Sequence, residues 1–411
     1  MRQSLGVRAL VFEEFGGPLV VRQVPDPSPA TDGVVVRVEA TGVCRSDWHA
    51  WSGHDPDVVL PHVPGHELAG TVAAVGAGVR RWSVGVRVTV PFVCACGSCP
   101  PCRDGDGQVC LRQTQPGFTH WGSFAELVAL DAADVNLVAL PDGLPARTAA
   151  ALGCRFATAF RAVTGVGRVR PGEWVAVHGC GGVGLSAVQV AVAVGARVVA
   201  VDVSPGALAL ARAMGAEHTL DVGGQADDGP SRGSGRPDDG PFRGSGRVEG
   251  GPSRGSGRPD DGPFRGSGRP DDGPFRGSGR VGDVVAAVRE LTGGGVHVSL
   301  DCLGSPATCL DSIRSLRPRG RHVQVGLLPP SLGRPAVPME LVVAGELAVL
   351  GSHGMAAGDY PAMLSLIEAG RLDPAALVTR ELDLDGAGAA LAEVGRAPGV
   401  AVITSFGRPA P

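Results

Sequence analysis

Trp174-Val175-Ala176-Val177-His178-Gly179-Cys180-Gly181-Gly182-Val183-Gly184 is the stretch that decides the fold. Its first five residues are rich in β-branched and aromatic side chains and read as a buried strand. A helical pattern then runs from Val183 to Val194 and is closed by Gly195. Arg197 to Asp202 reads as a second strand and Pro205 to Met214 as a second helix. Val296 to Leu300 and His322 to Gly326 continue the series. Strands alternating with helices imply an α/β chain with a parallel, doubly wound sheet of the Rossmann type.

The glycines at 179, 181 and 184 spell G-x-G-x-x-G. The first makes the tight turn, the second lets backbone approach a pyrophosphate, and the third lets helix and strand pack closely. In a chain with 64 glycines the pattern alone is weak. Its context is not weak, because a strand precedes it, a helix follows, and the next strand ends in an acid. Asp202 lies 23 residues after Gly179, near the usual spacing of about 20. A carboxylate there accepts the ribose 2′-OH and repels a 2′-phosphate, so NAD is favoured over NADP. The candidate cofactor residues on the turn are Gly179, Gly181, Gly182, Val183 and Gly184, with Asp202 beyond it. The bland alternative is an ordinary strand-to-helix turn with a solvated aspartate.

Upstream the character differs. Val7 to Phe12, Leu19 to Val24, Val34 to Val38, Ala69 to Val75 and Arg87 to Pro91 read as short strands between Pro/Asp/Gly turns, in barrel-like pieces. Residues 226–280 are different again. They are five imperfect copies of an 11-residue unit, clearest in Pro259-Asp260-Asp261-Gly262-Pro263-Phe264-Arg265-Gly266-Ser267-Gly268-Arg269. Proline and glycine dominate, so the segment is expected to be disordered, a tolerated surface insertion rather than a tether. The 411 residues suit two globular domains. A net charge of −4 gives no reason to expect nucleic acid or a membrane surface as partner. No signal-peptide core stands at Met1 to Gly6, and Ala187 to Val203 is too interrupted to span a bilayer. A cytoplasmic location is therefore expected.

Ten cysteines need a role. Cys96, Cys99, Cys102 and Cys110 read C-x2-C-x2-C-x7-C, a set suited to one tetrahedral Zn²⁺. An iron–sulfur cluster would continue with x3-C-Pro, and a reducing compartment disfavours disulfides. Zinc closed by four thiolates is structural. Cys94 falls outside the pattern and reads as an idle thiol. Cys44, His66 and Cys154 are also candidate ligands, but no spacing unites them, and each alone could be a buried packing residue.

Their neighbourhoods resemble one family. Cys44-Arg45-Ser46-Asp47-Trp48-His49 looks like the first ligand segment of zinc-dependent medium-chain alcohol dehydrogenases. Gly65-His66-Glu67 with Gly70, Gly76 and Val79 is similar to that family's zinc signature, and Gly153-Cys154 with Phe156 and Thr158 to its third ligand segment. The resemblance covers the chain except 226–280. It implies a GroES-like β-barrel catalytic domain over 1–150, with the structural zinc lobe at about 92–112. A Rossmann domain over 151–337 and a C-terminal return to the catalytic domain over 338–411 would follow.

It further implies a second, catalytic zinc on Cys44, His66 and Cys154, two ions per chain in all. Asp47 would orient His66, and Glu67 would sit behind the metal. Arg45 and Thr158 would contact the cofactor. A proton would leave through Ser46, the cofactor ribose and His49. Phe92 matches a substrate-pocket position; Trp48, Trp51, Phe118 and Trp121 are looser candidates. The implied activity is reversible oxidation of a primary or secondary alcohol by a homo-oligomer, dimer or tetramer. Three positions depart from the pattern. Val86 and His297 stand where aspartates are usual, and Ala401 falls where many relatives have a basic residue near the cofactor phosphate. Two rivals remain: a zinc-free quinone or enoyl reductase on the same fold, and a non-enzymatic redox or metal sensor.

Overall fold

The computed structural model describes residues 6–223, 283–328 and 333–407; the expectation of disorder at 226–280 falls outside them. Six parallel strands form one sheet. In spatial order they are His218–Asp221, Arg197–Asp202, Trp174–His178, Val296–Asp301, Leu316–Gln324 and Ala348–Gly351. The order reverses beside Trp174–His178, the central strand, as in the two-halved dinucleotide fold. Side-chain alternation fixes both faces. Val175 and Val177 pack on one side with Leu185, Val188, Val298 and Leu300. Trp174 and Ala176 pack on the other with Val199, Val288 and Val296.

The second sheet has seven strands and is mostly antiparallel. Val34–Val43 is its hub, paired with Leu68–Val75, Leu127–Leu130 and Val400–Ser405. It encloses a core that includes Val36, Leu68, Val72, Val88 and Phe124. The architecture is thus a GroES-like barrel beside a Rossmann sheet.

Two sequence expectations need correction. The strand expected at 322–326 begins earlier, at Leu316. Its first half, Leu316-Arg317-Pro318-Arg319-Gly320-Arg321, is too polar to read as strand, and a register shift against Val296–Asp301 lets it pair. The return to the barrel comes at Val378–Asp383 and Val400–Ser405, not at residue 338, since Ala348–Gly351 still closes the parallel sheet. His297 lies within the strand Val296–Asp301. Its Nδ1 accepts the Trp174 amide at 2.9 Å, and its Nε2 lies 2.9 Å from Arg317. One ring nitrogen thus takes over one acceptor role of a carboxylate, which could accept at both oxygens.

Candidate functional site

Four ligand-type side chains converge where barrel and Rossmann sheet meet. The coordinating atoms of Cys44, His66, Glu67 and Cys154 all lie within 4.8 Å of one another. Cys44 ends the long hub strand and precedes the helix Arg45–Trp51. Cys154 lies in a π-helical turn, Leu152–Phe156, a local irregularity frequent at functional sites.

Asp47 organises the centre. It is fully buried and accepts from the Cys44 amide at 3.0 Å and the Gly65 amide at 3.0 Å. Its Oδ1 lies 2.7 Å from His66 Nδ1. A carboxylate holding Nδ1–H leaves Nε2 with its lone pair. That Nε2 is buried and meets no hydrogen-bond geometry with any of the described residues. An orphaned acceptor among two cysteine sulfurs is costly unless a cation occupies the centre. The donor set, two thiolates and an imidazole, suits zinc with one position open. The Cys154 thiol hydrogen-bonds to Cys44 and holds the Cys44 pKa well below the ordinary thiol range, while Cys154 is pushed up. Burial lowers the His66 pKa, Asp47 and then Cys44 raise it, and the net shift is upward, so without a metal the ring holds a proton that binding of a cation at Nε2 would release.

Glu67 is also fully buried. Arg155 answers it with Nε on Oε1 at 2.8 Å, Nη2 on Oε2, and its amide on Oε1 at 3.1 Å. His66 and Glu67 immediately precede the strand Leu68–Val75 and take different partners, Asp47 and Arg155. Ser46 Oγ lies 3.8 Å from Cys44 Sγ. His49 Nδ1 is 3.0 Å from His54 Nδ1. Thr158 is buried, and its Oγ1 has no hydrogen-bond partner among the described residues.

Of the aromatic candidates, Phe92 and Phe118 approach the centre, with ring centroids 6.2 and 5.3 Å from His66. Trp48 stacks edge-on against His49 and His54. Trp51 donates to the Gly17 carbonyl and Trp121 to the Pro61 carbonyl, so both are packing residues here. His353 joins the rim. Its ring meets Phe92 edge-on at 5.3 Å, and its Nδ1–H donates to the Gln108 carbonyl at 3.1 Å.

The four-cysteine lobe is closed. Cys96, Cys99, Cys102 and Cys110 Sγ atoms lie within 4.8 Å of one another, with Cys99 to Cys102 at 3.3 Å and Cys99 to Cys110 at 3.7 Å. Four sulfurs on one Zn²⁺ with 2.3 Å bonds sit about 3.8 Å apart, so this set fits the ion. Arg112 donates to Cys96 Sγ at 3.4 Å. Backbone and side-chain donors from Ser98, with Arg112, bring the Cys96 pKa down to about 5. Cys94, by contrast, is buried against the Pro91 carbonyl, and burial pushes its pKa up to about 12.

At the glycine turn, Gly179 has φ +89°. A Cβ on Gly184 would overlap the Gly179 carbonyl oxygen. The helix Gly182–Val194 then starts with free amides at its N-terminus. Asp202 locks the turn, accepting from Cys180 N at 2.5 Å and Ser204 N at 2.8 Å. Gly184→Ala is expected to destabilise by about 1–3 kcal/mol, since backbone must move. A thermal melt checks this; an unchanged midpoint contradicts it.

Sequence reasoning missed Arg155, His54 and His353. Arg155 is buried beside the partly buried Cys154, but its partner Glu67 lies 88 residues away, so no local signal marks it.

Residues 30–142 match the alcohol dehydrogenase GroES-like domain, and residues 182–232 with 277–369 match the zinc-binding dehydrogenase domain. An alcohol dehydrogenase of Rhizobium meliloti is 44% identical over 216 residues, 52% of this chain and 63% of that protein. One from Geobacillus stearothermophilus is 42% identical over 52% of this chain and 64% of that protein. The chain thus aligns with somewhat less than two thirds of the length of these relatives. Among solved structures, an alcohol dehydrogenase from Thermus sp. ATN1 superposes with TM-score 0.76 at 28% identity, covering 97% of this chain and 99% of that one. A zinc-binding dehydrogenase from Sinorhizobium meliloti 1021 bound to NADP gives 0.76 at 25% identity, with the same coverage. No described helix is long and apolar enough to cross a membrane. With two domain matches in their expected order and a likeness to a solved alcohol dehydrogenase, the chain belongs to the zinc-type medium-chain alcohol dehydrogenase family.

Proposed function

We propose that this chain is a zinc-dependent alcohol dehydrogenase that oxidises a primary or secondary alcohol reversibly with NAD. The observation that carries it is the buried, unpartnered His66 Nε2 between Cys44 and Cys154, with Nδ1 fixed by Asp47. Cys44, His66 and Cys154 would hold the catalytic ion; Cys96, Cys99, Cys102 and Cys110 would hold a structural one. When bound, zinc supplies a Lewis acid that lowers the pKa of an alcohol oxygen, and the nicotinamide supplies the hydride acceptor.

The protein's own residues do the rest. Phe92 and Phe118 exclude water beside His66. Ser46 both accepts and donates a proton, and His49 passes it outward. Thr158 offers its free hydroxyl to the cofactor, and Arg45 offers charge. Asp202 accepts the ribose hydroxyl. The four residues after it, Val203-Ser204-Pro205-Gly206, carry no cation to hold a 2′-phosphate, which supports NAD over NADP.

The relay has a pH signature. Burial lowers the His49 pKa, and the charges of His54 and Arg45 lower it further against Cys44 and Asp55. His49 is therefore neutral and able to accept a proton down to below the ordinary imidazole value of about 6.5. The acid limb of kcat is expected below that value. His54→Ala removes one lowering charge, so the limb should move up in pH. A pH profile of kcat checks this, and an unmoved limb contradicts the relay.

We also infer a homo-oligomer, a dimer or tetramer. Ala348–Gly351 is an edge strand, and Val349, Val343 and Met339 beside it are exposed by 42%, 74% and 57%. Light scattering at micromolar concentration tests this; a monomer mass rejects it. Turnover of an alcohol panel with NAD and with NADP tests the activity. Turnover of quinones or enoyl substrates alone would favour the reductase instead.

A further inference from the structure

Arg155 has one nitrogen to spare. Its Nε and Nη2 are committed to Glu67, while Nη1 makes no hydrogen bond among the described residues. The guanidinium packs against the start of the glycine-rich helix, so closely that a Cβ on Gly182 would overlap Arg155 Cδ and lie 3.3 Å from Nη1. A cation at the positive end of a 13-residue helix is repelled by it unless an anion lies between them. Open space lies on the other side of the guanidinium. Arg155 lines a cavity of about 520 Å³, together with Val43, Gly206, Leu210 and Gly395. Arg45 reaches its far side, where Nη1 would be 3.2 Å from a Cβ on Gly395. Ala401 lines the same cavity, so the basic side chain expected at that position is absent from the very space that Arg155 faces.

We propose that Arg155 is a diphosphate-binding residue of the cofactor site. Its Nη1 takes a phosphate oxygen of the dinucleotide, and its other face neutralises Glu67 behind the catalytic centre. It thereby replaces the cation missing at 401. One guanidinium then ties the ligand centre to the cofactor turn. This rests on the proposed dinucleotide function.

The test separates the two. Binding of ADP-ribose and of adenosine is measured by calorimetry on the zinc-replete protein. Arg155→Gln alone would strand Glu67 as an unpaired buried charge. The informative comparison is therefore Glu67→Gln against Glu67→Gln/Arg155→Gln, with zinc content and melting midpoint recorded for each. The double variant should bind ADP-ribose about tenfold or more weakly than the single one. Adenosine affinity should stay unchanged, because adenosine carries no phosphate. Adding Ala401→Arg to the double variant should restore most of the loss. Equal ADP-ribose affinity in the two variants would overturn the proposal and leave Arg155 as a structural partner of Glu67. Failure of the unsubstituted protein to bind ADP-ribose would overturn the dinucleotide function itself.

Discussion

His66→Ala should abolish nearly all alcohol oxidation, lowering kcat/KM by about 10³-fold or more. His66 is fully buried, and its Nε2 has no hydrogen-bond partner among the described residues, as a metal ligand would. A Lewis acid is worth several kcal/mol of barrier, and each 1.36 kcal/mol is tenfold in rate. Removing one of three ligands should also drop the metal count by about one per chain. The fold should survive, since the barrel core around Leu68 and Phe124 does not depend on that imidazole. Steady-state kinetics with metal analysis on the same sample checks this. Full zinc content with normal turnover would reject the ligand assignment.

The lobe should respond in the opposite way. Cys99→Ser removes a sulfur that lies 3.3 Å from Cys102 and 3.7 Å from Cys110. The lobe's own core is small: Ala95, Cys99 and Cys110 are its buried members. So little apolar surface cannot order the segment without the ion. Loss of a structural metal belongs among the largest single-residue effects, about 4 kcal/mol or more. At about 2–4 °C per kcal/mol for a domain of this size, the melting midpoint should fall by at least about 8 °C. Limited proteolysis should cut between residues 94 and 114. His353 donates to the Gln108 carbonyl inside that segment, so substrate KM should rise as well. An unchanged midpoint would show that the lobe holds without the ion.

Most of the fold was legible because its signals are local. The β-branched and aromatic run Trp174–His178, the glycine turn and the acid ending the next strand all lie within about 30 residues, the span of one strand–helix–strand unit. The four-cysteine lobe is equally local. Cys44, His66 and Cys154 are not, for they are brought together by the hub strand, the Leu68 strand and a π-turn, and only resemblance united them. The Arg-rich strand Leu316–Gln324 was partly hidden because pairing on both sides overrides its polarity. Arg155 was hidden for another reason. Its meaning lies in Glu67, 88 residues away, and in a cavity no sequence pattern marks.

The most direct measurement is zinc per chain together with NADH formation from an alcohol panel, on one preparation of the full chain. About two zinc ions, one per site, with turnover that fails in His66→Ala, is the expected result. One zinc or none in a metal-replete preparation that still turns over would contradict the catalytic centre at Cys44, His66 and Cys154.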